Sequence, residues 1–138
     1  MIATLGGLTF AGDASDATYT LAKLDGWWGG ADLRHDTTHR PNGHGDFDAP
    51  GYLTGRLITL SGLIRATDAT AFEAAMAALE DLLADGSKDE FAVEQASGTY
   101  TAQVRRQGEV DIDITVYGRS ARYQLHLWAP DPTKVLVP

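Results

Sequence analysis

Residues 52–65 read YLTGRLITLSGLIR and residues 66–86 read ATDATAFEAAMAALEDLLADG, and the change of period between them decides the fold. The first stretch carries β-branched and apolar residues on both alternating faces, as a long central strand covered on both sides would. In the second, Phe72, Met76, Leu79 and Leu83 recur at helical spacing, and Ala75 and Leu82 widen the stripe. This predicts a helix over 70–85. Thr70 and Glu73 have capping-box spacing, and Gly86 stands where a left-handed residue ends a helix. One apolar stripe on a helix otherwise rich in Ala, Asp and Glu places it on a surface, covering one flank of a sheet.

Outward from this strand–helix unit the chain reads as β. Residues 2–10 and 18–24 are expected to form a hairpin through the turn-rich AGDASDA of residues 11–17. Residues 26–51, GWWGGADLRHDTTHRPNGHGDFDAPG, hold no period of 2 or 3.6 and read as a long loop, of the kind that is functional or pinned against a neighbour. Beyond the helix, residues 90–95 and 99–106 flank the turn residues Ala96, Ser97 and Gly98, a second hairpin. Val110, Ile112, Ile114 and Val116 alternate with Asp111, Asp113 and Thr115, the pattern of a half-buried strand whose opposite face meets solvent or a partner. Tyr123, Leu125 and Leu127 alternate with Gln124, His126 and Trp128 in a last strand over 122–129. The end, APDPTKVLVP, carries three prolines and suits neither a central strand nor a helix. The expected fold is α+β, mainly β: an antiparallel β-sandwich of about seven strands with one flanking α-helix. It spans residues 1–129, and residues 130–138 form a proline-rich exit arm or linker.

Composition bounds the function. The 138 residues suit one domain, and 43% hydrophobic against 22% charged residues supports a packed core. With no cysteine, disulfides, thiolate metal sites and cysteine nucleophiles are excluded. The start shows no basic segment followed by an apolar one, and no apolar run approaches the roughly 20 residues that span a bilayer, so cytoplasmic synthesis without a membrane anchor is expected. A net charge of -8 opposes phosphate binding and direct DNA readout.

Three groups of residues invite a chemical reading. Asp32, His35, Asp36, His39, His44, Asp46 and Asp48 offer metal-ligand types, with His35 and His39 four apart. That spacing shares a face only on a helix, which Gly29, Gly30 and Pro41 oppose, and no Glu follows His35 as in zinc proteases. Trp27 and Trp28 suit stacking on a sugar or base, but tryptophan more often fills a core edge or a protein interface. Asp111 and Asp113 share a strand face, as glycosidase carboxylates or, more commonly, as solubilising charges. No nucleophile elbow, P-loop or dinucleotide fingerprint is present. His126 reads as a satisfied edge residue. No catalytic residue, metal or cofactor is expected; a small metal-dependent or carbohydrate-binding module using the His/Asp loop is the alternative from another class.

The order of elements resembles the N-terminal domain of siphophage distal tail proteins, over essentially the whole chain. The resemblance rests on the N-terminal hairpin, a loop with Arg40, Pro41, His44 and Gly45, the strand Gly55-Arg56-Leu57-Ile58-Thr59-Leu60-Ser61-Gly62, one helix, a β-rich second half, and Ala129-Pro130-Asp131-Pro132. It implies a non-enzymatic minor tail protein of the virion, assembled in the host bacterial cytoplasm. Such a protein forms a hexameric ring that joins the tail tube to the tip or baseplate, with tube, tip, baseplate or tape measure proteins as neighbours. DNA passes through the lumen without specific binding. Many members continue into a galectin-like domain after the proline-rich exit; none is expected within these 138 residues. Another ring protein of the tail, a tube or tube-terminator subunit, is the nearest alternative.

A ring needs two different complementary surfaces on each copy, because cyclic assemblies above the dimer use head-to-tail contacts. Charge supplies a candidate pair. Residues 68–94 carry eight acids against Lys88, and residues 95–138 carry four acids against five bases. The helix flank with Glu73, Glu80, Asp81 and Asp85 would face Arg105, Arg106, Arg119 and Arg122 of the next copy, unless both are plain solvated surfaces. Trp27, Trp28, Arg34, Arg40, Trp128 and the exit segment from Pro130, Asp131 and Pro132 to Pro138 complete the expected contacts.

Overall fold

The computed structural model describes residues 1–12, 18–48 and 50–138. In chain order the elements are β1 (Ile2–Leu5), β2 (Leu8–Ala11), β3 (Tyr19–Thr20), β4 (Lys23–Asp25), β5 (Leu33–Arg34), β6 (Tyr52–Leu53), β7 (Arg56–Arg65), α1 (Ala69–Asp81), β8 (Asp89–Gln95), β9 (Gly98–Arg106), β10 (Asp111–Val116), β11 (Ser120–Ala129) and β12 (Val135–Leu136).

β7 is central, as its sequence requires. It pairs along its whole length with β11, from Arg56↔Ala129 to Arg65↔Ser120, and on its other side with β3 and β4. Ile58, Leu60 and Ile64 point inward and are fully buried, but the outward row is only half covered and Leu57 is exposed. The expected continuous strand starts later, because residues 52–53 belong to a separate pairing with β5. Gly62 is what lets β7 meet the chain at residue 20 so closely: a Cβ there would lie 2.0 Å from the Thr20 carbonyl oxygen.

The expected sandwich is a closed barrel instead. Following the hydrogen bonds from β11 through β7, β3, β2, β1, β8 and β9 returns to β11, where Arg106 and Arg105 pair with Leu127 and Trp128. The seven strands are mixed, because β2 and β3 run parallel while the other neighbours are antiparallel. Sandwich and barrel impose the same inward/outward alternation on each strand, so periodicity does not separate them. Closure does, and it is set by partners far apart in sequence.

Local expectations are corrected in the same way. Gly6 and Gly7, both at positive φ, fold residues 2–11 into their own β1–β2 hairpin. The second expected strand breaks at residues 21–22 and pairs with β2 and β7; most of the expected turn, residues 13–17, lies outside the described residues. The β8–β9 hairpin forms as read, with a two-residue turn at Ala96–Ser97. The helix ends at Asp81 rather than 85. Asp68 is its N-cap, accepting from the Ala71 N–H at 2.8 Å, so the Thr70–Glu73 capping box does not form. Phe72, Ala75, Leu79 and the following Leu82 are buried against the barrel interior, and the Tyr19 hydroxyl donates to the Ala75 carbonyl at 2.7 Å.

The core runs through the barrel under α1. Phe10, Tyr19 and Tyr123 form an aromatic cluster with centroids 5.5 to 6.4 Å apart, and Trp27 packs on Phe91 at 5.4 Å. β10 departs from expectation: among the described residues it pairs only with β11, and Ile114 and Val116 on its apolar face are 44% and 55% exposed. After β11 the chain turns back, and Val135 and Leu136 pair with Thr101 and Tyr100 of β9, a strand beyond the one expected to be last.

Candidate assembly surface

The segment read as a loop is an arm. Leu33 and Arg34 pair with Leu53 and Tyr52 at its base, and the Thr54 N–H donates to the Asp32 carbonyl at 2.8 Å. Toward the tip the Phe47 N–H donates to the Thr38 carbonyl, His39 Nδ1 meets Asp46 Oδ1 at 2.7 Å, and the Arg40 guanidinium lies over the Phe47 ring. Residues 32–48 are exposed throughout. Leu33, Phe47, Tyr52 and Leu53 are each more than half exposed. A two-stranded hairpin is marginal in water without a surface to pack on, and this arm packs on none that the exposure of these residues shows.

Its root is held firmly. Arg56 is 8% exposed, and its Nη1 donates to the carbonyls of Gly26 at 2.9 Å, Trp27 at 3.2 Å and Gly29 at 3.1 Å, while Nε reaches the Pro132 carbonyl at 3.4 Å. Gly26 takes φ 80, and a Cβ there would strike the Leu57 carbonyl, so the GWWG turn needs glycine at this position. Lys134 Nζ donates to the Trp27 carbonyl at 2.9 Å and lies 5.0 and 5.6 Å from the Trp27 and Trp28 ring centroids. Desolvation first, and the neighbouring Arg56 charge second, hold the Lys134 amine below its ordinary pKa. One clasp thus ties the arm root, the start of β7 and the C-terminal segment together.

The two tryptophans part company here: Trp27 is fully buried and Trp28 is 53% exposed. Trp128 is exposed beside Leu57, its partner across the β7–β11 ladder. Arg34 and Arg40 are exposed on the arm, at its base and near its tip. Arg105 and Arg106 are half-buried and already engaged. Arg105 donates to the Gly86 carbonyl, and Arg106 Nη1 donates to those of Glu80 at 2.6 Å and Leu82 at 3.2 Å. Arg106 thus caps the C-terminal end of α1, where unpaired carbonyls attract cations, and Arg105 holds the loop that follows it. Arg119 and Arg122 are exposed. On the helix flank, Glu73 accepts from the Tyr117 hydroxyl, and hydrogen bonds from Ser87 hold Asp85 below the usual carboxylate range. Pro130 is exposed, Asp131 accepts from the Thr133 N–H at 3.0 Å, and Pro132 is half-buried against Arg56.

The His/Asp-rich segment is therefore drawn out along an arm. Among the described residues no three His, Asp or Glu side chains converge as ligands for an ion. Asp111 meets His126 at 3.7 Å, and His126 shares a hydrogen bond with Thr59 at 3.2 Å. Sequence reasoning missed Arg56 and Lys134. Arg56 carried a signal, since it continues the inward-facing row of residues 58, 60 and 64, where a cation must find buried acceptors.

No family model matches the sequence, and no curated protein matches it. Solved structures do. A chain described as "Crystal Structure of SPP1 Dit (gp 19.1) Protein, a Paradigm of Hub Adsorption Apparatus in Gram-positive Infecting Phages" superposes with a TM-score of 0.64 over 85% of this chain, at 13% identity. The fold is that of a phage Dit protein. The match covers 46% of the Dit chain, so this chain spans less than half of that protein. A chain from the "Tail of empty GTA particle computed with helical refinement, C6 symmetry" is similar at a TM-score of 0.42 and 17% identity, over 78% of this chain and 76% of that one. The resemblance read from the order of elements holds at the level of fold. Among the described residues, no helix is long and apolar enough to cross a membrane.

Proposed function

We propose that the chain is a structural, non-enzymatic subunit of a bacteriophage tail. It forms a ring, a hexamer, between the tail tube and the tip or baseplate. The observation that carries this is the uncovered arm on a Dit-like barrel: a base clamped by a buried arginine and apolar residues left bare along its length. An uncovered arm that each copy passes to the next, rather than exchanging it within a pair, makes a head-to-tail contact, because arm and receptor are then different surfaces of one molecule. Residues 34–40, the part of the arm before the turn at 41–45, span at most about 20 Å at ~3.3 Å per residue, more than half the roughly 35 Å diameter of a domain of this size. The arm therefore reaches one neighbour.

In this reading Arg34, Arg40, Trp28 and Trp128 lie at contacts between copies or with adjoining tail proteins, and so do Arg119 and Arg122. Trp27, Arg105 and Arg106 support those surfaces from within. Residues 130–138 turn back along β9 through Val135 and Leu136 before they can serve as an exit segment, and their path is held by Arg56 and Lys134. The neighbours are tube, tip, baseplate or tape measure proteins, the DNA crosses the lumen unread, and the protein resides in the virion tail after assembly in the host cytoplasm. The test is sedimentation of the full chain against a variant with residues 32–53 replaced by a short Gly/Ser turn. The full chain is expected to self-associate with rising concentration while the shortened barrel stays single; equal behaviour of the two would remove the arm from the account.

A further inference from the structure

The arm reading leaves its receptor unnamed, and the surface of the described residues offers four cavities, of which one, about 280 Å³, has Asp111 and Asp113 in its lining and would set two carboxylates against the acidic side of the tip. Of the other three, the first, about 450 Å³, is lined by Met1, Ile2, Trp28, Glu94, Gln95 and Ala96. A larger one, about 650 Å³, is rimmed by Asp81, Asp85 and Asp89 below α1. A third, about 320 Å³, lies over Ala22, Gly62, Leu63 and Arg122 on the β7–β11 face. The arm tip presents Phe47 between Asp46 and Asp48, with Arg40 stacked on the ring.

We propose that the first cavity is the socket for the arm tip of a second copy of this chain, with Phe47 seated against Met1, Ile2 and Trp28. This rests on the arm reading and adds its receptor. Charge decides between the cavities. Lys134 stands over the Trp28 ring and spends one of its three N–H donors on the Trp27 carbonyl, leaving two for an incoming carboxylate such as Asp48. Arg56 adds a second cation on the same carbonyl, with carbonyls as its hydrogen-bond acceptors. On the other rim, Glu94 meets the cationic side of the tip, Arg40. The larger cavity would set Asp46 and Asp48 against three carboxylates, which like-charge repulsion opposes. The third, floored by half-buried Gly62 and Leu63 and buried Tyr123, carries exposed Arg122 in its lining and no carboxylate to meet Arg40, whereas Met1 and Trp28 of the first expose about half of their surface beside Glu94.

The arm leaves the barrel right after Trp28 and stays exposed over residues 32–48, and among the described residues no hydrogen bond or ion pair joins it to the same chain's Met1 or Ile2. Root and socket are adjacent on each copy. An arm that bridges from one root to the next therefore repeats the same contact around a closed ring.

The chain has no cysteine, so introduced pairs report without background. Asn42→Cys, beside Arg40, with Gln95→Cys, beside Glu94 on the rim that receives it, is oxidised in the full chain and compared with Asn42→Cys/Ser87→Cys and Asn42→Cys/Ala22→Cys. The socket pair is expected to give at least tenfold more disulfide-linked chains than either other pair, and adding Phe47→Ala is expected to cut that linkage by a similar factor. Linkage through Ser87 or Ala22 instead, in a chain that still assembles through its arm, overturns the socket and leaves the arm reading standing. A chain that never associates, with or without the arm, overturns both.

Discussion

Replacing Arg56 by methionine keeps the apolar stem and removes the guanidinium from the clasp. Four carbonyl contacts are lost, but not four full hydrogen bonds. The Trp27 carbonyl keeps Lys134 at 2.9 Å, and the 3.4 Å contact to Pro132 is weak. The net loss is the two carbonyls of Gly26 and Gly29, each left short of a charged donor. A hydrogen bond to a charged group contributes about 1.5–3 kcal/mol, and relief of the buried charge's desolvation offsets part of the sum. The expected cost is about 2–4 kcal/mol, or roughly 8–15 °C in Tm for a chain of this length. Urea unfolding followed by tryptophan emission measures it, because Trp27 is fully buried beside the clasp. Arg56→Lys is expected to recover little, since one ammonium cannot serve carbonyls on both the GWWG turn and the C-terminal segment. A methionine variant within 0.5 kcal/mol of the parent refutes the reasoning, because the clasp would then be incidental to the fold.

Leu79→Ala, at a fully buried site where α1 meets the barrel, should cost about 3 kcal/mol in the same urea assay; a loss under 1 kcal/mol would mean that the helix is not packed there. Gly62→Ala forces a Cβ to within 2.0 Å of the Thr20 carbonyl and should destabilise by at least 2 kcal/mol or so, read by differential scanning calorimetry. Burial raises the pKa of the Tyr19 and Tyr123 hydroxyls above 10. Their contribution is whole below pH 10 and is lost as pH climbs through the folded values, because the unfolded chain ionises first. Lys134, whose pKa is depressed, acts in the opposite sense and only below about 10.5. The urea midpoint should therefore fall between pH 9 and 11.5, less steeply in Tyr123→Phe; a flat profile contradicts this.

The strand–helix unit at residues 56–81 was legible because both periods are written in consecutive residues, and so was the β8–β9 hairpin with its small turn residues. Barrel closure was not, because the Arg105–Trp128 and Arg106–Leu127 pairings join strands whose alternation is identical in a sandwich. The helix was read four residues too long, since Leu82 and Leu83 continue the apolar stripe although Leu83 takes φ 52 and stops the turn. For β10, alternation marked an apolar row, yet Ile114 and Val116 stay exposed: pattern tells which residues share a face and not whether this chain covers it. Trp27 and Trp28, adjacent and alike in sequence, take opposite fates because Gly26 turns the chain so that only one ring reaches Phe91. The arm was hidden by its composition. With one two-residue strand pairing and one isolated bridge among the described residues, it carries too little regular structure to print a period.

The claim on which the rest depends is that this barrel closes into a ring with copies of itself through its arm. Electron micrographs of the purified full chain, with particle mass measured on the same sample, test it most directly. The account predicts closed annular particles of six subunits. A chain that remains a lone barrel at the highest attainable concentration, its arm resistant to protease although nothing covers it, would contradict it.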